Sequence, residues 1–248
     1  CKGVEPKYYF ISGSGNKKTF SKTNLIKISN SLKQEQKKYG ISLGGGDTTY
    51  SNKVSFTVTS LGYSKNIIYR NKVKLNDDIY VTGNLGDSFV GLQILKNKFK
   101  FKKKINDYFI RKYFLPDIQI KLAKKLLRFA NSSIDISDGL ISDLEKMLNN
   151  QDYSFLINEP QIPISKHLKD LINDTKFKKY KLISNGDDYQ VLFTANVNKL
   201  RIIQKTSKIL GIKITKIGKI ISGKKKSILI DQKGEQILLK YKGYIHKF

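Results

Sequence analysis

Three acidic segments of the chain place carboxylates beside glycine or serine in patterns that suit phosphates and hard cations. The first is Leu43-Gly44-Gly45-Gly46-Asp47-Thr48-Thr49. Glycines let backbone N–H groups come close to a phosphate because no Cβ intervenes. A carboxylate directly behind them, Asp47, can hold Mg2+ against the same phosphate oxygens. The spacing is neither a P-loop nor a dinucleotide fingerprint, and a tight turn ahead of the next strand would use the same glycines. The second segment is Ile134-Asp135-Ile136-Ser137-Asp138-Gly139-Leu140. A short apolar strand delivers Asp135 and Asp138 three residues apart, and a helix opens at Asp138-Gly139. The two acids can chelate a hard cation, and the helix N-terminus with Ser137 suits an anion. Equally, Ser137 or Asp138 can serve as an N-cap.

The third segment is Ser184-Asn185-Gly186-Asp187-Asp188-Tyr189, running on to Thr194. Its paired acids can bind the cationic part of a substrate, while Asn-Gly-Asp alone also makes an ordinary β-turn. At the end of the sequence, Gly243-Tyr244-Ile245-His246-Lys247-Phe248 offers aromatic rings that can dock on the body of the protein or stack on a ring, a cationic one best of all. Neither His167 nor His246 sits in a motif that suggests catalysis.

The elements that must position these residues are readable from periodicity. Helical spacing over 21–38, with Leu25, Ile26, Ile28 and Leu32 on one face, predicts a helix capped by Ser21 or Thr23. Alternation with β-branched residues over 54–62 predicts a strand, and a shorter strand or buried turn is expected at 8–11. Further strands are expected at 78–83, 133–136, 153–157, 189–194, 212–221 and 227–230, with helices at 86–95, 118–129, 140–148, 165–172 and 197–210. Strands and helices alternate from residue 78 onward, which predicts a layered α/β domain. A polar stretch at 71–76 places a boundary near Val73, giving a strand-rich region 1–72 and an α/β domain 73–248.

The 248 residues carry 47 Lys and Arg against 20 Asp and Glu, a formal net charge of +27. Nucleic acid is the obvious partner for such a chain, yet only Arg70, Arg111, Arg128 and Arg201 are arginines. Base and phosphate readers favour Arg for its bidentate geometry. The lysines are spread along the chain, consistent with a solvated surface, so nucleic acid is not the expected partner. A single Cys excludes an internal disulfide and a Cys-built zinc site. No apolar run reaches the ~18–20 residues of a membrane span, and residues 1–6 lack the apolar stretch of a signal peptide. A leading Cys1 admits lipidation, against which the strands and motifs read as a cytoplasmic enzyme.

Taken in order, the GGDTT, IDISDGL and G-acid-DYxxLFT segments and the terminal Gly-aromatic-x-His-x-Phe resemble the thiamine-monophosphate kinase family, over nearly the whole chain. The resemblance implies an α/β (α+β) architecture of two domains, the aminoimidazole ribonucleotide synthetase-like fold. It implies ATP-dependent phosphorylation of thiamine monophosphate to thiamine diphosphate by direct, Mg2+-assisted in-line transfer, without a phosphoenzyme. Carried over residue by residue, Asp47 binds Mg2+ and contacts ATP beside Gly46, Asp135 and Asp138 bind further Mg2+, and Ser137 and Arg70 contact the nucleotide. Asp187 and Tyr244 contact the thiamine moiety; the family usually has Glu where this chain has Asp187, and commonly glycine where it has Asn185, which tolerates positive φ. The resemblance also implies a homodimer for the full-length protein, and an acidic GDDA-type segment ahead of the part matched by residues 1–72, whose sheet domain is then incomplete. Two readings compete with it. One is another ATP-using enzyme of the same fold group, such as an aminoimidazole ribonucleotide synthetase. The other is a basic polyanion-binding protein, which would leave the aspartate motifs without a role.

Overall fold

The computed structural model describes residues 1–149, 151–175, 177–223, 228–238 and 243–244. They form two compact units, Val4–Asn66 and Cys1–Gly3 with Ile67–Phe248. Among the described residues no helix is long and apolar enough to cross a membrane.

In the smaller unit, β1 (Glu5–Gly15) lies between β2 (Ser42–Tyr50) and β3 (Ser55–Tyr63), parallel to the first and antiparallel to the second. Strand β1 is far longer than the short strand expected at 8–11. Helix α1 (Lys22–Tyr39) connects β1 to β2 and starts as predicted, with the Ser21 side chain accepting from the Asn24 N–H at 3.4 Å. Gly40, at φ 63, ends it. None of its residues is buried, and Leu25 and Ile26 are 46% and 52% exposed. The glycine run is not a turn. It lies inside β2, where Tyr9 pairs with Leu43 and Phe10 with Gly45, so that Gly44 is the extra residue of a bulge. Strand β1 passes so close that a Cβ on Gly46 would sit 1.8 Å from the Ile11 carbonyl oxygen, and only glycine fits.

The larger unit is built on a six-stranded sheet in the order β5-β7-β4-β8-β6-β9, where β4 is Asp78–Thr82, β5 Ala130–Asp135, β6 Tyr153–Asn158, β7 Val191–Ala195, β8 Ile214–Ser222 and β9 Ile228–Ile230. Neighbours pair antiparallel except β6 with β9. Its helices are α2 (Asp87–Leu95), α3 (Lys103–Phe114), α4 (Ala123–Leu126), α5 (Leu140–Leu148), α6 (Lys166–Asp174), α7 (Lys179–Ile183) and α8 (Leu200–Leu210). Both faces of the sheet are covered. Along β4, Ile79 and Val81 join a core with Leu140, Leu144 and Met147 of α5, while Tyr80 between them points into a second core with Phe193, Leu126 and Ile203. A strand buried on both sides reads as continuously apolar rather than alternating, which is how Ile79-Tyr80-Val81 reads. Helices α2, α3, α6 and α7 close a third cluster around Val90, Phe109 and Leu168.

Three helices differ from the sequence expectation, α7 among them, which forms where no helix was predicted. The one predicted over 118–129 shrinks to a 3-10 turn, Ile120–Leu122, and the four residues of α4. The chain then tightens, with N–H of Arg128 and Phe129 bonding to the carbonyls of Lys125 and Leu126, and feeds β5, which begins three residues earlier than expected. Pairing with β7 overrides a periodicity that would have carried the helix on. Helix α3 was not anticipated: Phe109 is its one fully buried residue, and its lysines and tyrosines mask the apolar stripe. His167 packs against it, stacked on Tyr108 with ring centroids 4.0 Å apart. Ser227, the lysine run 224–226 and the terminal residues 245–248, His246 among them, lie outside the described residues.

Candidate active site

Strand β5 pairs with β7 through Asp135 opposite Val191, and the chains leaving these two strands stay laced together. Ile136 N–H donates to the Gln190 carbonyl at 2.9 Å and Tyr189 N–H to Ile136 at 2.9 Å; Asp187 N–H reaches the Ser137 carbonyl at 3.0 Å. The lacing demands glycine at 186, where a Cβ would lie 1.7 Å from the Ser137 carbonyl oxygen. On the other side, Tyr244 N–H donates to the Asp138 carbonyl at 2.8 Å. Three segments distant in sequence thus meet around a cleft of about 580 Å3, lined by Ser137, Asp138, Asp187 and Tyr244 together with Phe89, Gln93 and Lys96 of or beside α2.

The backbone here is under constraint. Asp187 and Tyr189 both adopt left-handed conformations, at φ 67 and φ 50. Asp tolerates that region, whereas for a bulky Tyr it is a rare, strained state of the kind that collects at binding sites. Asn185, at the position where positive φ was expected to matter, does not adopt it and instead donates its side chain to the Lys181 carbonyl at 2.7 Å. Burial pushes the Asp187 carboxyl up, as does the charge of Asp138, against the hydrogen bond from Tyr189 and the charge of Lys96. The carboxylates of the second and third motifs therefore feel each other.

The loop 137–139 is held by a residue that sequence reasoning did not single out. Asp143 is fully buried, and its Oδ2 accepts from the N–H groups of Ser137, Asp138 and Gly139 at 3.0, 3.0 and 3.2 Å. Neither Ser137 nor Asp138 is the N-cap of α5. Gly139 holds that position with no side-chain bond, and an acid from the helix's own first turn reaches back to the loop. These amides point at Asp143, so the anion-accepting helix end expected from the sequence is already filled from within. The other Asp143 oxygen accepts from Lys146 Nζ at 2.7 Å, and the same ammonium bonds Asp138 Oδ2. Burial works against the Lys146 charge, but the bonds to Asp138 and Asp143 outweigh it and hold its pKa above the usual lysine range.

Asp135 ends β5, with Cys1 Sγ 4.0 Å from its Oδ1. Arg70 lies in the same unit, its carbonyl accepting the Ser132 hydroxyl. The charges of Arg70 and Asp135 both reach Lys2, whose ammonium is pushed down by burial and by Arg70 and raised by Asp135. Gly46 and Asp47 belong to the smaller unit, on β2, where Asp47 Oδ1 accepts from the Thr48 N–H at 2.7 Å. A larger cleft, about 930 Å3 between α8 and β8, is lined by Arg201, Lys205, Lys208 and Lys216 and contains none of the motif residues.

Asp188, the second acid of the third motif, is not in the cleft. It is buried and accepts from the Gly86 N–H at 2.8 Å, tying the turn to the start of α2. Burial, with the charge of Asp87 adding to it, pushes its carboxyl up to about 8. Asp87 is itself raised by burial, despite bonds from Ser165 at 2.7 Å and Tyr108 at 2.9 Å. The unfolded chain releases the Asp188 proton near 3.8 and the folded chain near 8, so between those limits the folded state carries the extra proton. Stability then falls as pH rises through that window and levels off above it. Asp188→Asn removes the titration while keeping an acceptor for Gly86. At about 1.4 kcal/mol per pH unit and about 2–4 °C per kcal/mol for a chain of this size, the Tm of the wild type is expected to drop about 3–5 °C per unit more steeply than that of the variant. Thermal melts between pH 6 and 8 measure this; parallel curves would mean that the carboxyl is ionised throughout.

No family model matches the sequence. Curated relatives do match over most of it. The chain is 39% identical over 232 residues to the thiamine-monophosphate kinase of Buchnera aphidicola subsp. Schizaphis graminum, covering 92% of this chain and 68% of the relative. It is 36% identical to that of Buchnera aphidicola subsp. Acyrthosiphon pisum, over 98% of this chain and 75% of the relative, and 31% identical to that of Nitrosopumilus maritimus, over 99% and 77%. Among solved structures, the thiamine monophosphate kinase from Aquifex aeolicus superposes with a TM-score of 0.81 at 24% identity, over 95% of this chain and 76% of the other. AaThiL complexed with AMPPCP and TMP gives 0.82 at 23% identity, over 98% and 75%.

Proposed function

The chain belongs to the thiamine-monophosphate kinase family, and from that premise we propose that it transfers the γ-phosphoryl group of ATP to the phosphate of thiamine monophosphate, giving thiamine diphosphate and ADP. Its architecture is the aminoimidazole ribonucleotide synthetase-like fold of that family. The observation that carries the reading is the meeting of Ser137, Asp138, Asp187 and Tyr244 around one cleft, because acids for a metal and a nucleotide and groups for a cationic ring must be close neighbours in such a reaction. In this assignment Asp187 and the face of Tyr244 receive the thiamine ring, the acid by charge and the phenol ring by cation–π contact. Ser137 and Arg70 hold the nucleotide, and Asp47 with Gly46 serves its phosphates.

Asp135, Asp138 and Asp47 are the proposed holders of Mg2+. Among the described residues no cluster of three acids or imidazoles is found, but Mg2+ takes only one or two carboxylates and completes its shell with phosphate and water. Asp138 already binds a cation, the Lys146 ammonium, so the donor set fits. Bound there, Mg2+ would neutralise the charge that builds on the transferring phosphoryl group. The chain's own part is positional: the loop 137–139, fixed by Asp143, holds Ser137 and Asp138 still, and the strained turn at Asp187 presents the acceptor. The proposed transfer is direct, with Ser137 a nucleotide contact rather than a nucleophile.

We further place the enzyme in the cytoplasm, which its single free Cys suits, and assign the full-length protein a homodimer, supported by the apolar side chains Tyr8, Phe10, Val58 and Leu61 that the sheet of the smaller unit exposes. The test of function is ADP release from ATP and Mg2+ with thiamine monophosphate, thiamine or an aminoimidazole ribonucleotide precursor as acceptor. Turnover is expected only with thiamine monophosphate. Asp187→Ala is expected to raise KM for thiamine monophosphate about tenfold, the scale of one lost charge-assisted contact, and to leave KM for ATP unchanged. ADP release that ignores the acceptor would overturn the assignment.

A further inference from the structure

Lys146 stands on α5 three residues beyond Asp143, and its ammonium is shared between two carboxylates of different kinds. Asp143 is fully buried and has no freedom left: Oδ2 takes three loop N–H groups and Oδ1 takes Lys146 at 2.7 Å. Asp138 lines the cleft, its side chain 18% exposed, and its Oδ2 takes the same ammonium. Lys146 is 36% exposed at its side chain, enough to move on a flexible four-carbon stem. Asp138 also raises the Asp187 carboxyl across the cleft, so the acids here repel one another unless a cation stands among them.

We propose that Lys146 is a built-in counter-ion that holds Asp138 until a divalent cation displaces it onto Asp143 alone, and that this competition sets the metal concentration at which the site fills. The inference rests on the reading of Asp138 as a metal ligand. When the metal arrives, Lys146 keeps the Asp143 bond it already has, so the exchange needs no new partner and leaves no buried charge unpaired. The ammonium costs the site metal affinity, because the cation must replace a favourable ion pair. In its absence Lys146 keeps the loop charge-balanced.

The test is Mn2+ binding to the full chain, followed by electron paramagnetic resonance of free Mn2+, without turnover. Partly exposed ion pairs are modest in strength, so Lys146→Met is expected to bind Mn2+ about three- to tenfold more tightly than the wild type, with the gain shrinking as salt is raised. Lys146→Arg, which keeps the charge, is expected to bind as the wild type does. Equal or weaker binding by Lys146→Met, at a Tm close to the wild type's, overturns the inference. Asp138→Asn separates the two levels of failure. If it weakens Mn2+ binding while Lys146→Met changes nothing, the counter-ion role alone falls; if it leaves Mn2+ binding intact, the ligand reading falls and the counter-ion role with it.

Discussion

Asp143→Ala is expected to cost about 3–5 kcal/mol of stability and to abolish kinase activity, although Asp143 does not line the cleft. The carboxylate is completely buried and satisfies four donors at once, three loop amides and the Lys146 ammonium. Truncation leaves all four without that acceptor. A buried donor stripped of its acceptor costs about 1–3 kcal/mol, and an ammonium stripped of a buried partner adds to this. Water entering the space recovers part of the loss for the more exposed groups, and Lys146 retains Asp138, which keeps the total at the lower end of the simple sum. The loop carrying Ser137 and Asp138 then loses its fixed shape. Chemical denaturation gives the stability and ADP release the activity. Asp143→Asn discriminates the causes: its carbonyl can still accept from the amides but cannot pair with the ammonium, so it is expected to fall between wild type and alanine on both readouts. Stability equal to the wild type in Asp143→Ala would mean that the loop is held by its glycines and by the 185–190 turn instead.

Asp143 also shows where the sequence stops being readable. An acid in the first turn of a helix looks like a surface residue placed to suit the helix dipole. Nothing local reveals that the preceding loop folds back over it. Asp138 and Asp187 were legible as candidates from local pattern, a carboxylate at a strand-to-helix turn and an acid beside a glycine, and the fold brings both to one cleft. Asp188 read as a companion of Asp187, since both lie in one run, yet one faces the cleft and the other is buried against Gly86, 102 positions away. Only tertiary pairing could separate them. The same holds for the fold. Strands 78–83, 153–157 and 189–194 and helix 140–148 were legible because each buries a strongly patterned face. The turn that the glycine run also admitted is not formed, because a bulge inside a strand asks for the same residues. Helix α3 escaped because a helix that buries one side fully at only Phe109 leaves little periodic trace among its lysines.

Asp138→Asn is expected to lower kcat by about 10²–10⁴-fold while leaving the fold intact. Asparagine keeps the shape of the side chain and can still accept from Lys146, and the Asp138 carbonyl that receives the Tyr244 N–H is backbone and unaffected. What disappears is a negative charge at the place where a metal would be held. Phosphoryl transfer leaves the protein little covalent work and depends on charge neutralisation around the moving group, and losses of single electrostatic contributors of this kind run to hundreds- or thousandsfold in kcat. The effect on the acceptor site runs the other way. Asp138 is one of the influences that raise the Asp187 carboxyl, so its neutralisation lowers that pKa and keeps Asp187 ionised to lower pH. Thiamine monophosphate, bound through its cationic ring, is therefore expected to show an unchanged KM near neutral pH and a lower one in mildly acidic solution, even as kcat collapses. A general loosening of the cleft would raise KM together with the fall in kcat. Steady-state kinetics in thiamine monophosphate at two pH values, with Tm as the check on folding, distinguish a lost metal ligand from a damaged pocket.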